Sequence, residues 1–251
     1  MRTLIVIASA AATAACGGGG DGGNAAPPVT PPPSGTTSIS EVQGPGAVSP
    51  LDGEVVAIEG VVTGDFQDND ADTRRNLRGF YVQGVPDGDG ATSDGIFVFD
   101  GSNPAVDVNV GDAVEVEGTV NEYFGETQIE ATSVSVTGAG SINPVPIDLP
   151  AAATVMNGDG DLLPDLERFE GMLVEFSDTL TVSSLRTLGR FGDVLLSEGG
   201  RPFQFTNRNA PDNANYAAHV EALAGRRIVL DDGLTQQNPG DIHYLEAGPG
   251  A

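Results

Sequence analysis

The chain has 251 residues and a formal net charge of −25, from 36 acidic residues against 11 basic ones, all of which are arginine. So large an acidic excess repels phosphate backbones at long range, which argues against a tight, nonspecific nucleic-acid binder. It favours solubility and divalent cations, although a salty habitat would produce the same bias. With a single cysteine, no disulfide can form within the chain.

The N-terminus carries an export pattern. Arg2 gives a short positive region, residues 4–12 form an apolar stretch too short to span a bilayer, and small residues precede Cys16. This arrangement resembles a bacterial lipoprotein signal and predicts lipid attachment at Cys16, hence a membrane anchor. The alternative is an ordinary secretory signal. In either case we expect an exported protein, at the outer membrane or cell surface or outside the cell.

The segment after Cys16 predicts a tether. It reads GGGGDGGNAAPPVTPPPSGTTS, a flexible glycine tract followed by a stiffer proline tract, and neither can form a core.

Five strand-like runs follow in the order expected of an OB-type barrel. The first run contains Gly60 and Gly64, which permit the sharp coil that lets one strand serve both halves of a small barrel. In the fourth run Val114, Val116 and Val120 alternate with polar residues, which predicts an inward apolar face. The apolar parity of the fifth run changes partway, so we expect a bulge near Thr132. The runs lie at residues 54–66, 80–83, 96–100, 113–121 and 127–137.

An OB barrel often carries a helix between its third and fourth strands. Here the sequence is GSNPAVDVNVGD, and Pro104 and the β-branched residues argue against a helix. We therefore expect a loop to close the barrel.

The C-terminal half predicts further strands at 169–176, 180–183, 192–197 and 202–206, and one helix at 212–224 with Asp212 as its N-cap. The predicted fold class is mainly β: an OB-fold-like five-stranded barrel followed by a second, smaller β-rich module with one short helix. The predicted organisation is a signal at 1–15, a tether at 16–37, the OB-like module at 38–140, a connector at 141–160, the second module at 161–239 and a tail at 240–251.

Several stretches carry a family resemblance, above all LGRFGDVLLSEGGRPFQFTN and IVLDDG, together with VVAIEGVVTG and RGFYVQ. Over residues 38–239 the chain resembles the N-terminal region of bacterial extracellular nucleases of the endonuclease/exonuclease/phosphatase superfamily. The resemblance implies extracellular DNA as a partner and a metal-dependent catalytic domain after this region. That domain's GDxN and SDH motifs do not occur in this chain. We therefore expect no catalytic residue and no nuclease activity from these 251 residues.

The basic cluster Arg74, Arg75 and Arg78 lies in the loop between the first two strands, which borders the ligand face of OB folds. These arginines are candidates for nucleic-acid contacts. The alternative is that they only neutralise the aspartates beside them.

Aromatic side chains supply the stacking platforms of OB ligand faces. Tyr81 shares the polar parity of its strand and is expected to be exposed, whereas Phe80 packs inward with Val82. The parity of the third strand leaves open which face points inward. The aromatic candidates for nucleic-acid binding are Tyr81, Phe97, Phe99, Tyr123 and Phe124.

Asp68, Asp70 and Asp72 alternate as in the first half of a calcium loop, which suggests Ca²⁺ or Mg²⁺ as a ligand. The alternative is a solvated acidic loop, because the later positions of a calcium loop are not matched.

These observations favour a non-catalytic part of a secreted nuclease that binds or positions extracellular nucleic acid. The alternatives are a surface module that binds carbohydrate or protein, since OB faces also bind oligosaccharides, and a structural spacer.

Overall fold

The structure is a computed structural model and describes residues 35–68, 76–157, 160–240 and 242. Five strands close into a barrel in the order β1-β2-β3-β5-β4, with every pair antiparallel except β3 and β5. This is the strand order of an OB fold, so the predicted fold class is confirmed. The strands are β1 (Val55–Phe66), β2 (Gly79–Gln83), β3 (Gly95–Phe99), β4 (Asp112–Tyr123) and β5 (Glu126–Ala139).

β1 bends where it changes partner. Its first half pairs with β4 and its second half with β2, and Thr63 is an extra residue between the paired Val62 and Gly64. A Cβ atom at Gly60 would lie 2.5 Å from a methyl carbon of Val82. Gly60 therefore allows β2 to approach β1 closely.

The predicted bulge in β5 is confirmed at Thr132. Ala131 pairs with Gly118 and Ser133 with Glu117, which leaves Thr132 without a partner in the ladder. The Thr132 hydroxyl donates a hydrogen bond to the Glu117 carbonyl at 3.0 Å. The extra residue changes which side of β5 faces the core, as the shift in apolar parity requires.

Apolar side chains of alternate parity fill the barrel. Phe80 and the three valines of β4 point inward as predicted. On β3 the inward pair is Ile96 and Val98, which settles the parity that the sequence left open. The fully buried interior is formed by Ile58, Val62, Phe80, Val82, Ile96, Val98, Val108, Val114, Val116, Val120 and Ile129.

One end of the barrel is closed by a helix that the sequence analysis missed, α1 (Ile39–Gln43). Ser38 and Glu41 form a reciprocal capping box at its start, and Ile39 and Val42 are buried in the barrel core. Between β3 and β4 the chain has no helix, as expected, and Val108 of this loop enters the core.

The second module consists of small sheets around a separate core. β6 pairs with β9, β7 with β8, and β10, β11 and β12 form a three-stranded sheet. Its buried core is formed by Ile147, Leu149, Met172, Val174, Val194, Leu196 and Ile228. The elements are β6 (Val145–Ile147), β7 (Thr154–Met156), β8 (Leu162–Pro164), β9 (Val174–Phe176), β10 (Thr181–Ser184), α2 (Leu188–Phe191), β11 (Val194–Ser197), α3 (Asn213–Ala224) and β12 (Arg227–Leu230), with 3-10 helices at Glu167–Phe169 and Phe205–Asn207.

Two predicted strands of this module are wrong in part or entirely. Residues 169–176 begin at the end of a 3-10 helix and become a strand only in β9. Residues 202–206 form no strand, because Pro202 cannot donate to a ladder and Phe205 turns to pack on Tyr216 of α3 at 5.9 Å. Helix α3 begins as predicted, with the Asp212 side chain accepting a hydrogen bond from the Asn215 N–H. The segment predicted as a connector contains β6 and β7.

Candidate nucleic-acid interface

Three aromatic rings lie together on the outside of the barrel. Phe66 ends β1, Tyr81 lies on β2 and Phe97 on β3, and we call them the outer-face cluster. The Tyr81 and Phe97 ring centroids are 4.9 Å apart, and Phe66 meets Tyr81 edge-on at 5.7 Å. Phe99 packs against the cluster and is half-buried. The outside of β2 and β3 is where OB folds bind their ligands.

The expected exposure of Tyr81 is wrong. Tyr81 is 3 % exposed and Phe97 is 5 % exposed. Phe66, Phe97 and Glu126 pack around Tyr81, and the second module contacts the barrel at both ends of this face, a contact between distant parts of the chain that the parity of a single strand cannot reveal.

At one end of the face, residues 170–173 of the second module bind the barrel. The Ser93 hydroxyl donates to the Glu170 carbonyl at 2.6 Å, and the Leu173 N–H donates to the Gln83 side-chain oxygen at 2.9 Å. Gly95 faces Gly171 so closely that a Cβ atom at Gly95 would lie 2.5 Å from the Gly171 carbonyl oxygen. Two glycines therefore allow the backbones of the two modules to touch.

At the other end, Asn76 binds the segment after β12. Its N–H donates to the Gly233 carbonyl at 2.9 Å, and its side-chain oxygen accepts from the Thr235 hydroxyl at 3.2 Å. The second module thus contacts the barrel on both sides of the outer-face cluster.

The covered face is acidic. The Tyr81 hydroxyl donates to a Glu126 carboxylate oxygen at 3.0 Å, and burial followed by the charge of Glu126 raises the pKa of Tyr81 well above 10.0. Burial raises the pKa of Glu170 to about 8, and the nearby carboxylates of Glu167 and Glu126 add to the shift. Beside the other end, burial raises the pKa of Asp231 to about 6. A phosphate placed here would meet carboxyl groups.

The loop between β1 and β2 contributes one described arginine. Arg78 has φ 65°, is half-exposed, and places its Nε atom 3.5 Å from a carboxylate oxygen of Asp68. This pair agrees with the alternative that the arginines of the loop neutralise the aspartates beside them. Arg74, Arg75, Asp70 and Asp72 lie outside the described residues, so their predicted roles remain predictions.

The turn between β4 and β5 presents two exposed rings. Tyr123 is 56 % exposed and Phe124 is 62 % exposed, with ring centroids 4.6 Å apart in an edge-to-face arrangement. We call them the rim pair. Phe124 and Gly125 have φ 54° and 87°, the two positive values that a type I′ turn requires. Asparagine or glycine normally takes the first of these positions, so the protein holds an aromatic ring in solvent at a backbone cost.

Other site chemistry is sparse. Within the described ranges, no group of three His, Cys, Asp or Glu side chains is arranged to hold a metal ion. His219 lies between the Phe203 and Phe205 rings, and its Nε2 is 3.1 Å from the Phe203 carbonyl oxygen. It is thus partly packed. Of the helices that the structure describes, none has the length and apolar character needed to cross a membrane. Cys16 lies outside these residues.

The residues that join the modules were not identified from the sequence. Gln43 is 3 % exposed and its side chain donates to a carboxyl oxygen of Glu170 at 3.3 Å, whereas Gln83 is 1 % exposed and accepts from the Leu173 N–H. Only one local signal pointed toward them, the Ser38 and Glu41 capping box, which predicts the helix that carries Gln43. The contacts themselves join residues far apart in the chain.

Comparison with known proteins identifies no family for this chain. No protein-family model matches the chain, and no curated protein matches it. Among solved structures, the hypothetical protein ygiW from E. coli is similar at 17 % identity with a TM-score of 0.28, and the alignment covers 41 % of this chain and 92 % of that one. A similarity this low carries no argument about function.

Proposed function

We propose that this chain is the non-catalytic part of an exported nuclease, in which the barrel binds single-stranded extracellular nucleic acid at the rim pair and positions it for a metal-dependent catalytic domain. The observation that carries the proposal is the exposure of Tyr123 and Phe124 on a turn whose backbone would favour asparagine and glycine. The nuclease context rests on the sequence resemblance described above.

The rim pair has the chemistry for stacking. Every nucleobase offers a flat face, and stacking on an aromatic side chain contributes about 1–3 kcal/mol per base. Such contacts need no positive charge, so they suit a protein with a net charge of −25. They also suit a barrel whose outer face is already covered by its own second module.

The charge of this protein determines how binding should respond to salt. Among the described residues, Arg78 is the one arginine of the barrel module, and it is paired with Asp68. Few phosphate charges can be neutralised there, so the affinity should fall only weakly as salt rises, by a slope corresponding to about one or two phosphates. Divalent cations should strengthen binding by screening the carboxylates.

The test is a fluorescence anisotropy titration of a labelled single-stranded oligonucleotide with the full chain, at low salt with Mg²⁺. The double variant Tyr123→Ser, Phe124→Asn should bind about fivefold more weakly or worse, because at least one stacked base is lost. Tyr216→Ser is the matched control, since Tyr216 is 55 % exposed on the other module.

Equal affinity of the double variant and the wild type would remove the rim pair from the site. A second series with Arg74, Arg75 and Arg78 changed to alanine tests the basic loop, and we expect a smaller loss there with a reduced salt slope.

Attachment to a membrane is part of the proposal. The pattern around Cys16 supports cleavage before that residue and lipid on its thiol. Mass spectrometry of the mature protein from a bacterial host should find an acylated Cys16, and a mature N-terminus at another residue would contradict this step.

A structural spacer is the second candidate, and it is favoured by the burial of Tyr81 and Phe97 at the junction of the modules. In that case the barrel serves as a rigid support. The titration distinguishes the two, because a spacer has no measurable affinity for the oligonucleotide under any condition.

A further inference from the structure

Glu170 lies where the second module meets three separate elements of the barrel. One of its carboxyl oxygens accepts hydrogen bonds from the Thr127 N–H of β5 at 2.8 Å and from the Gln43 side chain of α1 at 3.3 Å. Its carbonyl oxygen accepts from the Ser93 hydroxyl, in the loop before β3, at 2.6 Å. One residue thus holds much of the docking contact at this end of the face.

The ionisable groups around this carboxyl are nearly all acidic. From the barrel, the charge of Glu126 of β5 acts on it, and Glu170 in turn acts on the Tyr81 hydroxyl of β2. From its own module, Glu167 acts on it, and Asp165 acts on Glu167 in turn.

Two further charged groups border this cluster. Glu122 of β4 accepts a hydrogen bond from the Thr127 hydroxyl at 2.9 Å and also acts on Glu167. The guanidinium of Arg168 lies 4.5 Å from the centre of the Phe169 ring. An ionised Glu170 would therefore sit among carboxylates that repel it.

We propose that Glu170 is a proton-controlled latch between the two modules: as a neutral acid it keeps the second module docked over the outer-face cluster, and as a carboxylate it weakens docking and uncovers Tyr81 and Phe97. Opening would present the outside of β2 and β3, the surface on which OB folds bind their ligands. The latch would thus control access to a second aromatic surface, distinct from the rim pair, and it does not depend on what the rim pair binds.

The direction of the pH effect follows from the raised pKa of Glu170. The docked chain holds the proton up to about pH 8, whereas an undocked Glu170 has an ordinary pKa of 4.5. The docked state is therefore most favoured below pH 4.5, and this contribution is lost as the pH rises through 8. Between those two values, the ratio of undocked to docked protein should rise by up to about tenfold per pH unit.

The experiment is hydroxyl-radical footprinting of the full chain across this pH range, with labelled residues identified by mass spectrometry. Labelling of Tyr81 and Phe97, divided by that of the exposed Tyr216, should rise with pH in the wild type. Glu170→Gln mimics the neutral acid, so its Tyr81 labelling should stay low and change little with pH. Glu130→Gln removes an exposed carboxyl of β5 and serves as the matched control.

Phe80 distinguishes undocking from unfolding, because it is 0 % exposed inside the barrel. Undocking leaves Phe80 protected while Tyr81 becomes labelled. Gly95→Ala, which forces the contacting backbones apart, should give high Tyr81 labelling at every pH with Phe80 still protected. The proposal is overturned if Tyr81 labelling does not change with pH in the wild type, if Glu170→Gln keeps the wild-type pH dependence, or if Phe80 and Tyr81 become labelled together.

Discussion

Gly95→Ala tests the contact between the modules with a single methyl group. A Cβ atom at Gly95 would lie 2.5 Å from both the Gly171 carbonyl oxygen and the Met172 backbone nitrogen. These are backbone atoms, so no side-chain rotation can relieve the clash. Contact between such atoms normally requires about 3.5 Å, and the two segments must therefore separate by roughly 1 Å.

The energetic consequence follows from the bonds that cross this contact. The same separation lengthens the hydrogen bonds from Ser93, Thr127 and Gln43 to Glu170 and from Leu173 to Gln83. Each of these hydrogen bonds stabilises the docked arrangement by about 0.5–1.5 kcal/mol, and the overpacked methyl group costs a further 1–3 kcal/mol, roughly. Because the bonds are lengthened and not all broken, we expect a total destabilisation of about 2–4 kcal/mol. The free energy of unfolding, measured by urea denaturation, should fall by this amount.

Gly138→Ala is the matched control for this substitution. Gly138 also lies in a barrel strand, but a Cβ atom there has nothing within 4 Å. We expect its free energy of unfolding to stay within about 0.5 kcal/mol of the wild type. If Gly95→Ala were as stable as Gly138→Ala, the docked arrangement of the modules would be refuted.

Three further predictions concern stability. Phe124→Asn should stabilise the protein by about 0.5–1 kcal/mol and so raise its melting temperature in a thermal scan, because asparagine fits the positive φ of the turn. A lower melting temperature would contradict the turn geometry. Gln67→Leu should lower the free energy of unfolding in urea by about 2–4 kcal/mol, because the fully buried Gln67 side chain binds the loop that closes the barrel through both its amide nitrogen and its amide oxygen. An unchanged free energy of unfolding would exclude that role. Burial raises the pKa of Asp100 and of Asp231 to about 6. The contribution of these two carboxyl groups to the stability of the fold is therefore full below about pH 4 and is lost as the pH rises through 6. The wild type should melt at a higher temperature at pH 5 than at pH 7, and Asp231→Asn should reduce that difference.

The barrel could be predicted because its determinants are local. Glycines in the first strand indicate a bend, the change of apolar parity indicates the bulge at Thr132, and Pro104 excludes a helix before β4. Each of these signals lies within a few residues of its structural consequence. The capping box of Ser38 and Glu41 is equally local, so α1 was within reach of the same reasoning.

The covering of the aromatic face could not be predicted in this way. Tyr81 occupies the polar parity of its strand, and parity distinguishes only the barrel interior from everything outside it. Whether the outside faces water or another module depends on contacts such as that between Gln83 and Leu173, which are 90 positions apart. The second module was also harder to predict, because its three- and four-residue strands leave little room for periodicity.

Mild tyrosine nitration of the full chain, at slightly below neutral pH and mapped by mass spectrometry, tests most directly whether the second module covers the ligand face of the barrel. Three tyrosines lie in the described part of the chain, exposed to 3 % at Tyr81, 56 % at Tyr123 and 55 % at Tyr216. Tyr123 and Tyr216 should be nitrated rapidly, and Tyr81 should be protected. Nitration of Tyr81 at the rate of the other two, in folded protein, would contradict it.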